Sequence, residues 1–130
     1  MPKLFIVDDN PSLRSLIRSL LEQHGYEICG EAEDGLQAVE SAKQLKPDLI
    51  LLDASMPKLG GAQVASVLRR ELPKTRIILF TFFDEAIGKE LAAAIGVDLV
   101  LSKTEGMSKL LNSVQTLIER NASSQSVFKP

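Results

Sequence analysis

Five residues that could carry out chemistry each follow a short apolar stretch of the sequence. They are Asp8 and Asp9 after "LFIV", Asp53 after "LILL", Thr81 after "IILF", and Lys103 just beyond "VDLVLS". An ionised carboxylate beside an apolar core is costly unless a nearby group or ion compensates its charge. Packing alone therefore does not explain why acids occupy these positions.

If the acids lie together, they predict a site for a hard divalent cation. At an effective dielectric constant of ~20, two like unit charges ~4 Å apart cost roughly 4 kcal/mol. Either one carboxylate then takes up a proton, or a cation lies among Asp8, Asp9 and Asp53. Oxygen ligands without neighbouring histidine or cysteine favour Mg²⁺, with Mn²⁺ as a substitute.

A site of this composition suits a phosphoryl group. The metal and Lys103 would neutralise the phosphoryl oxygens, and Thr81 would donate a hydrogen bond to one of them. A carboxylate can be the nucleophile in phosphoryl transfer, and Asp53 is the candidate. Taken alone, Lys103 would be a solvated surface lysine and Thr81 an ordinary strand residue, so the interpretation depends on the whole set.

The apolar stretches alternate with helical patterns along the chain. Asn10 is a candidate N-cap for the first helix, Pro11 takes its first position, and Gly25 ends it. The residues predicted to face the core from this helix are Leu13, Leu16, Ile17, Leu20 and Leu21. The predicted strands cover residues 4–7, 28–32, 49–52, 77–80 and 97–101, and the later helices begin near residues 35, 61, 84 and 107.

This alternation predicts an α/β fold with a single five-stranded parallel sheet and helices on both faces. Right-handed crossovers leave few strand orders, and we expect the doubly wound, flavodoxin-like (βα)5 arrangement. In such sheets ligands bind beyond the carboxyl ends of the strands. The five residues named above should therefore meet at one edge of the sheet.

Length and composition limit the number of domains and the kinds of partner that the protein can have. The 130 residues suit one domain over residues 1–120, with the polar residues 121–130 as a flexible tail or the start of a linker. The formal net charge of −2 argues against direct binding of nucleic acid. Cys29 is the only cysteine, which excludes an intrachain disulfide. Without a signal-peptide pattern or a membrane-length apolar run, we expect a cytoplasmic protein with no membrane partner.

Over residues 3–120, the chain resembles the receiver domain of bacterial two-component response regulators, in the superfamily of the chemotaxis regulator. The motifs are "VDDN" at 7–10, "LLDASMP" at 51–57, "GG" at 60–61, "LFT" at 79–81 and "SK" at 102–103. Each motif alone is weak, but their order at the ends of predicted strands is specific. The resemblance implies a phosphoprotein of phosphorelay signalling, not an enzyme with a diffusible product.

The resemblance also implies roles for individual residues. Mg²⁺ would be bound directly by Asp9 and Asp53, through water by Asp8, and by the backbone carbonyl of Ser55. A sensor histidine kinase, a phosphotransfer protein or a small phosphodonor would phosphorylate Asp53. The domain would catalyse only its own aspartyl phosphorylation and dephosphorylation.

The same resemblance implies a switch and its partners. Lys103 would pair with the phosphoryl group, and Thr81 would shift to hydrogen-bond it. That shift would move the face made by the fourth helix, the fifth strand and the last helix. An output domain or a target protein would read this face, and a phosphorylation-dependent homodimer is compatible with the family.

Three positions depart from the family pattern. Val100 stands where an aromatic residue usually couples to the switch threonine, so a ring rotation cannot be the readout. Thr104 stands where the family commonly has a proline after a cis bond. A cis bond before a non-proline residue costs ~3–4 kcal/mol, so the loop is either strained or rearranged. Phe82 replaces a small residue beside the phosphorylation site.

The same residues bear on three other functions. A non-phosphorylated, receiver-like scaffold is the alternative that the altered positions 82, 100 and 104 support. A haloacid-dehalogenase-type phosphatase requires a second aspartate two residues after the nucleophile, where this chain has Ser55. A flavodoxin-like electron carrier is disfavoured because "DDNPSL" is acidic and would repel the FMN phosphate.

The bulky Phe82 generates a prediction about the lifetime of the phosphorylated state. We expect Phe82→Ala to hydrolyse its aspartyl phosphate faster than the wild type, because the ring would narrow the path of the attacking water. Following loss of the phosphorylated form after removal of the phosphodonor measures this rate. Equal lifetimes for the two proteins would contradict the hypothesis.

Overall fold

The computed structural model describes residues 1–54, 61–81 and 96–127. Five strands and four α-helices occur in this part of the chain, with a short 3₁₀ helix after the last strand. The elements are β1 (Lys3–Val7), α1 (Pro11–Gln23), β2 (Glu27–Ala32), α2 (Gly35–Leu45), β3 (Leu49–Asp53), α3 (Gly61–Glu71), β4 (Arg76–Thr81), β5 (Leu99–Ser102), the 3₁₀ helix Lys103–Glu105 and the C-terminal helix Met107–Val127.

The five strands form one sheet in the order β2-β1-β3-β4-β5. All four strand pairs are parallel. This is the flavodoxin-like strand order that the sequence predicts. The central strand β3 is buried along its whole length, as expected for a strand with a neighbour on each side and a covered sheet.

Two apolar clusters fill the space on the two faces of the sheet. One cluster combines β-strand residues with Ile17 and Leu21 of α1 and with Leu110 and Val114 of the C-terminal helix. The other combines the alternate strand residues with residues of α2 and α3, among them Ala38, Ala42, Val64 and Leu68. The prediction of helices on both faces is confirmed, because successive strand residues contribute to opposite clusters.

The first helix begins as predicted, but one of its residues does not face the core. The side chain of Asn10 accepts hydrogen bonds from the backbone N–H groups of Ser12 and Leu13 at 3.0 and 3.1 Å. The prediction that Leu16 faces inward is wrong, because this residue is 54% exposed. At about 100° per residue, Leu16 lies about 120° around the helix from the buried arc of Ile17 and Leu21.

The last strand starts later than predicted, at Leu99 instead of Val97. Oδ2 of Asp98 accepts the N–H of Ile77 at 2.8 Å, and Asp98 N donates to the Ile77 carbonyl at 2.9 Å. A side chain thus takes the place of one backbone carbonyl at the start of the β4–β5 pairing.

The predicted helix of residues 84–95 and the first glycine of the "GG" motif, Gly60, lie outside the described residues. The C-terminal helix runs to Val127 and so enters the predicted tail, residues 121–130. The division into a domain of residues 1–120 and a tail stays a prediction.

A glycine allows the chain to return closely to the end of β3. A Cβ atom built on Gly61 would lie 2.4 Å from the carbonyl oxygen of Asp53 and 2.5 Å from Cα of Ala54. The backbone N–H of Gly61 donates to the Ala54 carbonyl at 3.1 Å. The start of α3 is therefore fixed against the strand that carries Asp53, as expected for a glycine at a close backbone approach.

We expect Gly61→Ala to lower the free energy of unfolding by about 2 kcal/mol, because the new methyl group meets backbone atoms that cannot move independently. Urea unfolding measures the change. Gly25→Asn is the control, since Gly25 has a φ of 86° but nothing within 4 Å of its Cβ position, and asparagine tolerates this region better than most residues. Equal losses in the two variants would show that the close approach is unimportant.

Candidate functional site

The strand register brings the predicted residues to one edge of the sheet. Val7 lies opposite Leu52, so the residues that follow them, Asp8 and Asp53, stand at the same level on neighbouring strands. Asp53 lies opposite Phe80, the residue before Thr81. Asp8, Asp53 and Thr81 are far apart in the sequence. The parallel pairing of β1, β3 and β4 brings them to the same end of the sheet.

The fifth strand adds the amine at the same edge. Thr81 lies opposite Ser102, the residue before Lys103. Nζ of Lys103 lies 3.0 Å from Oδ1 of Asp53 and 3.2 Å from Oδ2 of Asp8. The ammonium also lies 5.9 Å from the centre of the Phe80 ring, a distance at which the ring face attracts a cation.

The charged groups of this site are largely out of water. Asp8 is 2% exposed and Asp53 is 3% exposed, and the side chain of Lys103 is 9% exposed. Burial disfavours the charged form of Lys103, but the hydrogen bond and the negative charge of Asp53, followed by those of Asp8, outweigh it and raise the pKa of Lys103. The lysine is therefore held as an ammonium between two carboxylates.

Three carboxylates come close enough to share a cation. Oxygen atoms of Asp8, Asp9 and Asp53 lie within 4.8 Å of one another, and Asp9 is the exposed member. Against one ammonium, three carboxylates leave two negative charges uncompensated within this set. A divalent cation would balance them, and an all-oxygen donor set fits Mg²⁺.

The backbone holds Asp8 in place before any ion binds. Its N–H donates to the carbonyl of Ala32 at 3.1 Å, which extends the pairing of β1 with β2. Its Oδ1 accepts the N–H of Asn10 at 2.8 Å. The turn that caps α1 therefore also orients the Asp8 carboxylate.

In the loop after β5, Thr104 makes a hydrogen bond at the position where the family pattern has proline. The N–H of Thr104 donates to Oγ of Ser102 at 3.2 Å, a bond that proline could not make. The two hydroxyl oxygens lie 2.7 Å apart, and no cis peptide bond occurs among the described residues. The 3₁₀ helix that follows carries Lys103 toward the carboxylates.

Of the other two altered positions, the structure describes Val100 but not Phe82. Val100 is half-buried, lies opposite Leu79 and packs against the cluster covered by α2 and α3. Thr81 is 3% exposed at the end of β4. Ser55 and Phe82 lie outside the described residues, so their assigned roles stay predictions.

Sequence reasoning missed two residues that contact this region. Nη1 of Arg14 donates to the carbonyl oxygen of Asp8 at 2.6 Å, and Nε of Arg14 lies 3.1 Å from Oε1 of Glu31. A charge pattern on α1, with Arg14, Arg18 and Glu22 spaced four residues apart, marks one face of that helix. This pattern does not reveal that Glu31 of β2 pairs with Arg14 and Arg18 on that face.

The chain is similar to known proteins in both sequence and structure. The family model "Response regulator receiver domain" matches residues 4–115. "Response regulator protein VraR" of Staphylococcus epidermidis is 34% identical over 131 residues, covering 98% of this chain and 60% of that protein. The chain spans about three fifths of the length of the first curated relatives that it matches.

Solved structures agree with this similarity. The REC domain of AraT, a response regulator from Geobacillus stearothermophilus, matches with a TM-score of 0.84 at 30% identity, covering 95% of this chain and 98% of that one. The chemotaxis protein CheY4 of Vibrio cholerae matches with a TM-score of 0.82 at 28% identity, covering 90% and 98%. None of the helices in the described residues has the length and apolar composition needed to cross a bilayer.

The buried ion pairs generate a stability prediction. We expect Lys103→Met to lower the free energy of unfolding at pH 7, without divalent ions, by about 3 kcal/mol, because Asp8 and Asp53 lose a buried counter-ion. The raised folded-state pKa means that the lysine stabilises fully below its unfolded pKa of about 10.4 and loses this effect as pH rises through the folded value. Urea unfolding at several pH values measures both effects.

The matched control is Lys109→Met, which removes the ammonium of an exposed pair with Glu105 four residues away. Surface pairs contribute little, so this variant should unfold nearly as the wild type does. If both lysine variants lose the same stability, burial of the Lys103 pairs has no special effect.

Proposed function

The chain belongs to the response regulator receiver domain family, and on that premise we propose that Asp53 is the residue that accepts the phosphoryl group. The observation that carries the proposal is the Lys103 ammonium, 3.0 Å from Asp53 and 3.2 Å from Asp8 in a site largely closed to water. This arrangement leaves an excess of negative charge that a cation must balance. It also supplies an amine for the oxygens of an incoming anion.

Mg²⁺ is the cofactor that we assign to this site, and Mn²⁺ could replace it. Asp9 and Asp53 would supply carboxylate oxygens directly and Asp8 would act through water, and the carbonyl of Ser55 is the further ligand predicted from the family. When bound, the ion would neutralise oxygens of the phosphoryl group as it is transferred.

The transfer needs little covalent chemistry from the protein. An oxygen of the Asp53 carboxylate forms a bond to phosphorus, and the bond from phosphorus to the donor's nitrogen or oxygen breaks, with its electron pair leaving on the donor. Lys103 stabilises the negative oxygens of the phosphoryl group, and the hydroxyl of Thr81 donates to one of them. The domain would in this way catalyse only its own phosphorylation and dephosphorylation.

Partners follow from the family and from the relatives' names. A sensor histidine kinase or a phosphotransfer protein would supply the phosphoryl group in the cytoplasm. One curated relative is named a putative transcriptional regulator of Pseudomonas aeruginosa, and a similar solved structure is titled a DNA-binding response regulator. We therefore propose that this domain controls an output domain or target protein, or forms a phosphorylation-dependent homodimer, without contacting nucleic acid itself.

The alternative is a receiver-like scaffold that binds partners without phosphorylation. The departures at positions 82, 100 and 104 favour it, because they alter the route from the switch threonine to the surface. The intact set of Asp8, Asp9, Asp53, Thr81 and Lys103 favours phosphorylation.

We expect the protein incubated with Mg²⁺ and acetyl phosphate to gain one phosphoryl group on Asp53, because this carboxylate has both the metal ligands and Lys103 beside it. Intact-mass and peptide mass spectrometry measure the gain, and beryllofluoride binding followed by NMR reports the same site without turnover. Asp53→Asn should abolish both signals.

Asp48→Asn is the matched control, since Asp48 is exposed at the start of β3 and pairs with the backbone N–H of Lys3. It should be phosphorylated as the wild type is. A folded wild type that binds neither Mg²⁺ nor beryllofluoride would support the scaffold instead.

A further inference from the structure

The backbone of Asp8 has a charged hydrogen-bond partner that the proposed phosphotransfer does not use. Nη1 of Arg14, from the first turns of α1, lies 2.6 Å from the carbonyl oxygen of Asp8. The Arg14 side chain is only 17% exposed. Hydrogen bonds from a charged donor are about twice as strong as neutral ones. The peptide group between Asp8 and Asp9 is therefore held at its carbonyl oxygen by a charged donor.

A carboxylate on β2 orients the arginine in turn. Nε of Arg14 lies 3.1 Å from Oε1 of Glu31, and the other oxygen of Glu31 accepts Nη1 of Arg18 at 2.5 Å. The donors of a guanidinium group point in fixed directions in one plane. With Nε held by Glu31, Nη1 is directed at Asp8.

We propose that Arg14 is a positioning residue for the divalent-cation site. By holding the Asp8 carbonyl, it restricts rotation of the peptide group that joins the two consecutive metal-binding acids. This inference rests on the proposed function, since it assumes that these acids bind Mg²⁺. Arg14 bonds the backbone carbonyl of Asp8 and not its carboxylate, and its other partner is the carboxylate of Glu31. It is therefore a ligand of neither the ion nor the phosphoryl group.

The other contacts of Asp8 explain why this bond matters. The carboxylate is held through Oδ1 by the N–H of Asn10 and through Oδ2 by Lys103. The hydrogen bond from Arg14 adds a restraint on the backbone of Asp8 to these two restraints on its side chain. Mg²⁺ requires ligands near octahedral positions at about 2.1 Å, so rotation at Asp8 would spoil the placement of both its own oxygens and those of Asp9.

The proposal predicts a change in metal affinity with little change in maximal rate. Groups that orient metal ligands typically contribute 10- to 100-fold in affinity. We expect Arg14→Gln to raise the dissociation constant for Mg²⁺ about tenfold. At saturating Mg²⁺ the rate of phosphorylation by acetyl phosphate should remain close to that of the wild type, because Lys103, Thr81 and Asp53 are unchanged.

The experiment measures Mg²⁺ binding directly and phosphorylation separately. NMR titration of the full chain with Mg²⁺ gives the dissociation constant, and phosphorylation rates at a series of Mg²⁺ concentrations give the half-saturating concentration and the maximum. Arg70→Gln is the control for loss of one positive charge, since Arg70 is exposed near the end of α3. It should match the wild type in both measurements.

A second variant keeps the test decisive if Arg14→Gln does not fold. Glu31→Gln leaves Arg14 in place but removes the charge that orients it. It should weaken Mg²⁺ binding to a smaller extent, because the amide oxygen can still accept from Nε.

The possible outcomes separate the inference from the proposed function. Weaker Mg²⁺ binding in the Arg14 and Glu31 variants, with a maximal rate like that of the wild type, supports the positioning role. A wild type that binds Mg²⁺ and is phosphorylated, with an unchanged dissociation constant in the folded variants, overturns that role alone. A wild type that neither binds Mg²⁺ nor accepts the phosphoryl group overturns the proposed function and the inference together.

Discussion

Two carboxylates, Asp8 and Asp53, are nearly excluded from water at the ends of neighbouring strands, and the Lys103 ammonium lies between them. Burial of one ionised carboxylate is costly, and burial of two side by side adds their mutual repulsion. The lysine reduces this cost but does not neutralise the set once Asp9 is included. The site is therefore built around a deficit of positive charge, and its three carboxylates could hold a cation.

The opposite edge of the sheet shows how the same fold treats a carboxylate that needs no ion. Asp98, before β5, pairs with Arg69 at 2.8 Å and with Arg76 at 3.1 Å, and it also accepts a backbone N–H. Two guanidinium groups thus face the single carboxylate of Asp98, so its negative charge is balanced by the protein itself. The contrast between the edges supports a functional reason for the acids at the carboxyl edge, where parallel strands converge on a common crevice.

Much of the fold was predictable because its signals are local. The N-cap at Asn10 and the apolar strands could be read from short stretches. Right-handed crossovers left few strand orders, and the flavodoxin-like order expected among them is the one observed. The exposure of Leu16 was not predicted. A helical repeat identifies the apolar face of a helix, but it does not show how wide a part of that face the sheet covers. The late start of β5 depends on the Asp98 side chain, whose contact with Ile77 joins distant parts of the chain.

The sequence by itself determined which residue types stand at the ends of which strands, because strands and turns depend on neighbouring residues. It therefore identified Asp8, Asp9, Asp53, Thr81 and Lys103 as a set. Only the tertiary structure decided the distances within that set, the near-complete burial of Asp8 and Asp53, and the contact of Arg14 with the Asp8 carbonyl. These features depend on strand register and on the packing of α1 against β2, which bring together atoms that no local pattern relates.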